Sequence, residues 1–493
     1  MNVPAGVNVI VTAAARADRR TVGGLVLACT AAVAVAPVAV AVPPRLLLVA
    51  LAGLGLVTVT YLHPPVAAYL MLVATPLTAG FPRGMVVPLL RPHEALGIVL
   101  GTGVLARALA QLSTAGRLPV RPGPVDVAFL LMAGAGSVLP LLWMVVRGTP
   151  TTQEDLLYAS ALWKFYGLYV LIRICVTTEP QVRRCLYLSM GAAGVVAVIA
   201  ILQSLDLAGV PDLLARLYPA EDATGLASGR GSATIGSSIS VGDVMAFHVA
   251  IGLALLLRTP GPHRLLLPMT ALFGVGTLAS GQFSGVIALV VCVFVVAVLS
   301  GQVRRLIVML VPAAVLAAVL LQPVIQQRLA HRDMSTGMPQ SWYVRYENLR
   351  LFVWPDLFSG PNWLFGVRPA ARIDVVAPWG TEIYIESGHT WLLWTGGIPF
   401  LLAYLWFMVV ALRTTVPVAR SRRDAVGVAA TAALAALLSV FVLMSFDPHL
   451  TMRGAADLTF SLVALATAAH AQTRGAHRGR ATVPSVAGST SYT

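Results

Sequence analysis

Apolar stretches of about 17–25 residues follow one another along nearly the whole chain, separated by short polar segments, and that is the length at which a helix crosses about 30 Å of hydrocarbon. Backbone groups in lipid must find hydrogen-bond partners within their own span. The pattern therefore predicts an all-α, polytopic transmembrane helical bundle of about 12–14 spans. The expected spans are 22–41, 45–62, 65–80, 94–112, 125–146, 156–176, 184–205, 240–258, 264–280, 283–300, 305–322, 389–412, 424–446 and 454–471. They divide the chain into an N-terminal tail (1–21), a helical block (22–322) interrupted by an outer loop at 206–239, a large loop (323–388) expected to hold short interfacial helices, a second helical block (389–471), and a tail (472–493). That last segment is rich in Arg, Gly, Ser and Thr and is expected to be disordered. The apolar region after Arg19 and Arg20 runs on into a second span instead of ending at a small-residue cleavage site, so no cleavable signal is expected.

Composition excludes a soluble domain. Of 493 residues, 57% are hydrophobic and 11% charged, where soluble proteins carry about 25% charge. The net charge of +14 is not a nucleic-acid signature, because the arginines sit mostly in short loops. With the N-terminus in the cytoplasm, alternation of spans puts Arg107, Arg117 and Arg121, Arg173, Arg183 and Arg184, Arg258 and Arg264, Arg304 and Arg305, and Arg413, Arg420, Arg422 and Arg423 on the cytoplasmic side, together with the tail bearing Arg474, Arg478 and Arg480. Every basic cluster then lands on one side, as the positive-inside rule requires. Both termini are expected in the cytoplasm and loops 206–239 and 323–388 outside. Cys29 and Cys292 lie in spans and Cys175 and Cys185 near the inner face, so no structural disulfide is expected. The sequence has no Walker A motif, no GxGxxG before a helix, no GxSxG and no His/Cys metal spacing.

The outer loops carry the candidate chemistry. Leu226-Ala-Ser-Gly-Arg230-Gly-Ser-Ala-Thr-Ile-Gly236 leads into the span at about 240. Small residues let backbone N–H groups approach a ligand, and a helix start presents free donors. Arg230 before such a start fits an anion site, a diphosphate included; a solvated Gly/Ser loop capped by Ser240 accounts for the same residues. In the second loop, a helix over Ser341–Phe358 would put Trp342, Arg345, Leu349 and Phe352 on one face, at i, i+3, i+7 and i+10. A lone arginine on that apolar face calls for an anion. Arg350 has Glu347 three residues before it, within pairing distance on a helix. An interfacial helix anchored by Trp342, Tyr343, Tyr346 and Trp354, its arginines on lipid headgroups, is the plainer reading.

His389 stands at the outer end of the next span, where an imidazole can take or give a proton near neutral pH. Glu386 precedes it by three residues and is placed to orient it. A hydrogen-bonded helix-end histidine is the alternative. Lys164 is a charge within a span and so a functional candidate, or else a snorkelling side chain. Asp447, His449 and Arg453 are expected to be surface polar residues.

The order of these features resembles the polytopic bacterial O-antigen ligase and O-antigen polymerase glycosyltransferases. The resemblance runs from about residue 90 to 445. Four pieces carry it: the Lys164 span followed by Thr177-Thr-Glu-Pro-Gln-Val-Arg-Arg184; the Arg230 loop; the break Ala279-Ser-Gly-Gln-Phe-Ser-Gly285; and the large loop with Arg345, Leu364-Phe-Gly366, and His389 ahead of Gly396-Gly-Ile398. The chain departs from the family pattern at Thr390, where relatives often have Asn, and at Gly281-Gln282-Phe283, which lacks arginine. The resemblance implies a GT-C-like, metal-independent glycosyltransferase with no cofactor. Its donor would be an undecaprenyl-diphosphate-linked glycan, and its acceptor a glycan, lipid or protein. By the same resemblance Arg230 and Arg345, with Arg350, hold the diphosphate and His389 assists the acceptor hydroxyl. Trp342, Tyr343 and Trp379 are candidates for packing on sugar rings.

The rival from another class is a transporter or flippase for a lipid-linked or anionic substrate. Such a protein is expected to show paired, broken helices near mid-bilayer in two related halves. No repeat of that kind is visible in the sequence.

Overall fold

The computed structural model describes residues 44–116, 122–218, 229–259, 264–304, 340–377 and 380–468, with isolated positions at 308, 319 and 322. The expected spans 22–41 and, apart from those positions, 305–322 lie outside the described residues, as do both tails and Trp379. The chain divides into two units, Met1–Val59 and Thr60–Thr493. Helix α1 (Pro44–Leu62) begins in the first, and the elements below belong to the second.

The second unit continues with α2 (Pro65–Thr78), α3 (Pro92–Ala115), α4 (Pro124–Ala135), α5 (Val138–Val146), α6 (Gln153–Cys175), α7 (Glu179–Ser204), α8 (Val210–Leu217), α9 (Ser238–Arg258), α10 (Leu266–Ala279) and α11 (Phe283–Ser300). The large loop holds α12 (Gln340–Asn348), α13 (Trp354–Leu357), α14 (Asn362–Phe365) and the hairpin β1 (Arg372–Ala377) with β2 (Gly380–Tyr384). Then come α15 (Gly388–Ser421), α16 (Ala425–Leu443) and α17 (Ala455–Ala468). Among the described residues seven helical stretches are long and apolar enough to cross a membrane: α3, α4 with α5, α7, α9, α11, α15 and α16. The chain is a polytopic, mostly helical membrane bundle. Helix α6 matches the expected span 156–176 but carries Glu154, Asp155, Lys164 and Arg173.

Local sequence sets the helix starts. Pro65, Pro92 and Pro124 occupy first helical positions, where a missing N–H costs nothing. Thr152, Ser237, Ser387 and Asp424 cap α6, α9, α15 and α16 by accepting a backbone N–H. Helices α17 and α9 are almost wholly buried and α16 nearly so, while α3 is peripheral. Small residues bring the central helices together. A Cβ on Gly242 of α9 would stand 3.1 Å from the Gly285 Cα of α11, the close approach that drives helix pairing in lipid, where burial alone contributes little. Phe129, Tyr169, Phe407 and Phe460 interlock α4, α6, α15 and α17.

Two expected spans are broken. The stretch 125–146 is split between α4 and α5 at Gly136–Ser137, and α15 leaves helical geometry at Gly396 and Gly397. The breaks face each other: a Cβ on Gly136 would meet the Phe400 ring at 2.8 Å, and one on Gly396 would overlap the Ala135 carbonyl. Gly397 has φ +64 and ψ −159, and its Cα lies against the Leu364–Phe365 peptide of the large loop. Val367 N–H donates to Trp394 O at 2.6 Å, so loop backbone satisfies a carbonyl freed by the break.

The large loop contains a β-hairpin as well as the expected short helices. Its register pairs Arg372 with Tyr384 and Ile373 with Ile383, while Ile383 and Ile385 are buried. The alternation in Glu382-Ile-Tyr-Ile385 is the period-2 signal for such a strand.

The loops between helices segregate to two ends. At one end Arg147 donates to Asn362 Oδ1 at 3.0 Å and Arg368 to Asp155 Oδ1 at 2.9 Å. There also Thr234 Oγ1 donates to Pro76 O at 2.8 Å. At the other end Arg173 pairs with Asp126, and Arg258 donates to the carbonyls of Ala419, of Arg422 at 2.8 Å and of Leu299 at 3.3 Å. Both long loops therefore meet the first end.

Candidate functional site

The expected helix over Ser341–Phe358 is observed as α12, a π-helical turn at Leu349–Val353, and α13. The widened turn shifts everything after it by one residue, so the face proposed through Leu349 and Phe352 does not continue. Asn348, Val353 and Leu357 are the buried positions instead. The side chains of Ser341 and Trp342 lie outside the described residues; Tyr343 and Tyr346 are exposed.

Arg345 is not a lone charge, and this corrects the sequence expectation. Its Nε lies 3.5 Å from Glu386 Oε2 and its Nη1 3.2 Å from Asp447 Oδ2, with Phe446 O at 3.5 Å. A guanidinium with 25% of its side chain exposed needs anions, and the fold supplies them from two segments far along the chain. Glu386 faces Arg345, where the sequence placed it beside His389. Burial pushes the Glu386 carboxyl above its ordinary range, Arg345 opposes that shift, and Asp447 adds to it.

His389 opens α15, half-buried, with its ring edge-on to Phe441 at 6.2 Å and its backbone N–H donating to Met444 O at 3.2 Å. That contact pins the start of α15 to the turn after α16. A Cβ on Gly388 would meet Met444 Sδ at 2.6 Å, so glycine is required for the approach. The same turn holds Asp447 and His449. The expectation that these two are surface residues is overturned: Asp447 is 6% exposed and His449 0%. His449 Nδ1 lies 2.6 Å from Oδ2 of Asp243, itself 0% exposed near the start of α9. Asp243 was legible as a lone carboxylate within an apolar span, the signal that singled out Lys164.

The other candidates stand apart. Lys164 pairs with Glu94 at 2.7 Å, between α6 and the start of α3. Arg350 is largely exposed and pairs with Glu347 at 3.5 Å, as their spacing predicts. Arg230 lies on the turn before α9, where Gly231 N–H donates to Ala279 O at 3.0 Å and Gln203 fixes Ser232 and Ala233. It joins the Arg345 side of the bundle through the last turn, since Arg453 donates to Gly236 O at 3.5 Å and Gly454 packs on Ile235. Gln282, at the break without arginine, donates to Ser238 Oγ at 2.7 Å and braces the start of α9. The Thr177–Arg184 stretch is a joint at the opposite end: Gln181 accepts from Thr177 and Thr178 N–H, and Glu179 from Ala425 N–H at 3.3 Å.

Among the described residues no group of three or more His, Cys, Asp or Glu is arranged to hold a metal ion. A small cavity of about 20 Å³, lined in part by Thr75, Ser189, His248, Asp457 and Ser461, has room for about one water. The arrangement at the loop end is thus an arginine shared between two carboxylates, with a buried imidazole–carboxylate pair on the same turn as Asp447 and the start of the His389 helix tied to that turn through Met444 O. Such an arginine can exchange a carboxylate for a ligand anion. No known family model matches the chain, and no curated protein matches it.

Proposed function

We propose that this protein is a metal-independent glycosyltransferase of the O-antigen ligase or polymerase type, GT-C-like in architecture. It would move a glycan from an undecaprenyl-diphosphate donor to an acceptor hydroxyl on a glycan, lipid or protein at the outer face of the membrane. The observation that supports this reading is the gathering of Arg345, Glu386, Asp447 and the His389 helix start at the end of the bundle where the long loops meet. The arginine-rich loops with Arg258, Arg422 and Arg183 favour the cytoplasm by the positive-inside rule, which leaves the Arg345 end outside.

In the transfer step the anomeric C–O bond to the diphosphate breaks and a bond from the acceptor oxygen forms. The electron pair leaves on the diphosphate, and the acceptor proton goes to a base. Arg345 and Arg230 would stabilise the negative charge that develops on the leaving group. His389 would take the proton, with its ring held by Phe441 and its backbone by Met444. Glu386 would support the site through its ion pair with Arg345, while Lys164 and Glu347 pair elsewhere, with Glu94 and Arg350.

One observation favours the transporter reading. The facing breaks at Gly136 and Gly396–Gly397 are the paired discontinuous helices that reading expects. Against it, the break is filled by the Leu364–Val367 backbone instead of ionisable side chains. The deciding experiment supplies purified protein with an undecaprenyl-diphosphate glycan, with and without chelator. Lengthened or transferred product in both samples is expected. No product, or strong inhibition reversed by a divalent cation, would overturn the reading in whole or in its metal-free part.

A further inference from the structure

Asp243 and His449 form the most deeply enclosed ion pair at the loop end, each with 0% of its side chain exposed. A carboxylate buried to that degree needs a cation, and the His449 ring is 2.6 Å away. His449 Nε2 and Asp243 Oδ1 are buried with no hydrogen-bond partner among the described residues, so the pair is joined through a single contact. The turn that holds His449 also holds Asp447, and His449 N–H donates to Asp447 O at 2.7 Å. Asp447 in turn grips Arg345.

The charged groups that act on His449 are Asp243 from α9, Asp447 on its own turn and Arg345 from α12; further along, Asp457 near the start of α17 accepts Gly454 N–H at 2.7 Å. Helix α16 contributes none. With a neutral His449, the network of Asp243, Asp447 and Glu386 against Arg345 is strongly negative, and an approaching anion would be repelled. Burial works against a charged ring, but Asp243, by charge and hydrogen bond, and Asp447 outweigh burial and Arg345, so the imidazole is held above its ordinary range.

We propose that the Asp243–His449 pair is a positioning device for Arg345: the imidazolium, anchored by Asp243, offsets Asp447 and lets Arg345 exchange its carboxylate partners for an anionic ligand. This deepens the diphosphate reading and rests on it. His449 never touches the ligand; it acts through Asp447.

The test measures undecaprenyl diphosphate binding to the full-length protein from about pH 6 to pH 9, across the range in which a raised imidazole titrates. The variants are His449→Gln, the doubly neutral Asp243→Asn/His449→Gln, which keeps a hydrogen-bonded pair if the single variant does not fold, and Arg345→Ala. Wild-type affinity should fall about tenfold as His449 loses its proton, the size of one unit charge acting across a partly screened site. The His449→Gln variant should show no such fall and bind at the weak level throughout, whereas the double variant, whose neutral pair carries the same net charge as the ion pair, should show no fall and bind near the stronger level. A His449→Gln protein that keeps the wild-type pH profile would overturn the proposal. Wild type that binds no better than Arg345→Ala would refute the diphosphate reading and, with it, this role for the pair. Thermal midpoints separate the two failures. A pair charged in the fold stabilises fully below the ordinary imidazole value of 6.5 and less as pH rises through its raised value. The wild-type midpoint should therefore drop with pH and that of the double variant should not; equal slopes would show that the pair carries no charge.

Discussion

Gly397→Ala is the substitution the structure constrains most sharply. Gly397 sits at φ +64, and a Cβ there would overlap the Leu364 carbonyl and stand 2.7 Å from Phe365 N. A left-handed conformation costs an L-residue roughly 1–2 kcal/mol. Forcing a methyl group into packed atoms adds roughly 1–3 kcal/mol. Both obstructing atoms are backbone, so no flexible side chain can yield. The sum, roughly 2–5 kcal/mol, should lower the thermal midpoint by about 2–5 °C in a chain of this size. Gly274→Ala is the matched control, because a Cβ on that helical glycine meets nothing within 4 Å. The assay can use the protein's own thiols: Cys175, Cys185 and Cys292 are free and buried, so a fluorogenic maleimide reports unfolding in a Cys29→Ser background. Equal midpoints for the two variants would refute the argument that the loop backbone is docked into the break in α15.

Arg345→Ala should abolish glycan transfer while the protein stays in the membrane at normal level; wild-type product from this variant would remove Arg345 from the site. His389→Ala should lower turnover more than donor binding, as read from separate rate and affinity measurements, and equal losses would count against a proton role. Glu386 is shifted upward, so its contribution to stability is full below its ordinary value of 4.5 and is lost as pH rises through the folded value. Glu386→Gln should accordingly gain on wild type in thermal midpoint as pH rises above that value, and a gap that narrows with pH would contradict the assigned shift.

The span pattern was readable because lipid leaves the backbone few choices. Long apolar runs become helices, and Pro65, Pro92 and Pro124 mark their starts. The local pair Glu347–Arg350 was readable for a similar reason, since helical spacing sets it. The Arg345 site was not, because its partners lie at Glu386 and Asp447 and no local rule joins them. A π-helical turn also altered the face on which Arg345 was placed. Asp447-Pro-His449 looked like a solvent-facing turn, yet the chain folds it under the loop, where each polar group meets a charged partner. The hairpin at Arg372–Tyr384 was masked by its shortness, with one alternating strand too brief to stand out beside the apolar spans.

Arg258 bears on how the protein is made. Its guanidinium closes the carbonyl ends of α11 and α15, and the Ala419 partner lies 161 positions later in the chain. α9 therefore enters the bilayer well before the carbonyls that will hold its terminal arginine exist, and also before His449, the partner of Asp243. During synthesis this central helix is a polar liability that needs shelter from an insertase until α15 and the last turn emerge. Nascent chains halted after Ser300 should then crosslink to that machinery through α9, and chains extended past His449 should be released from it.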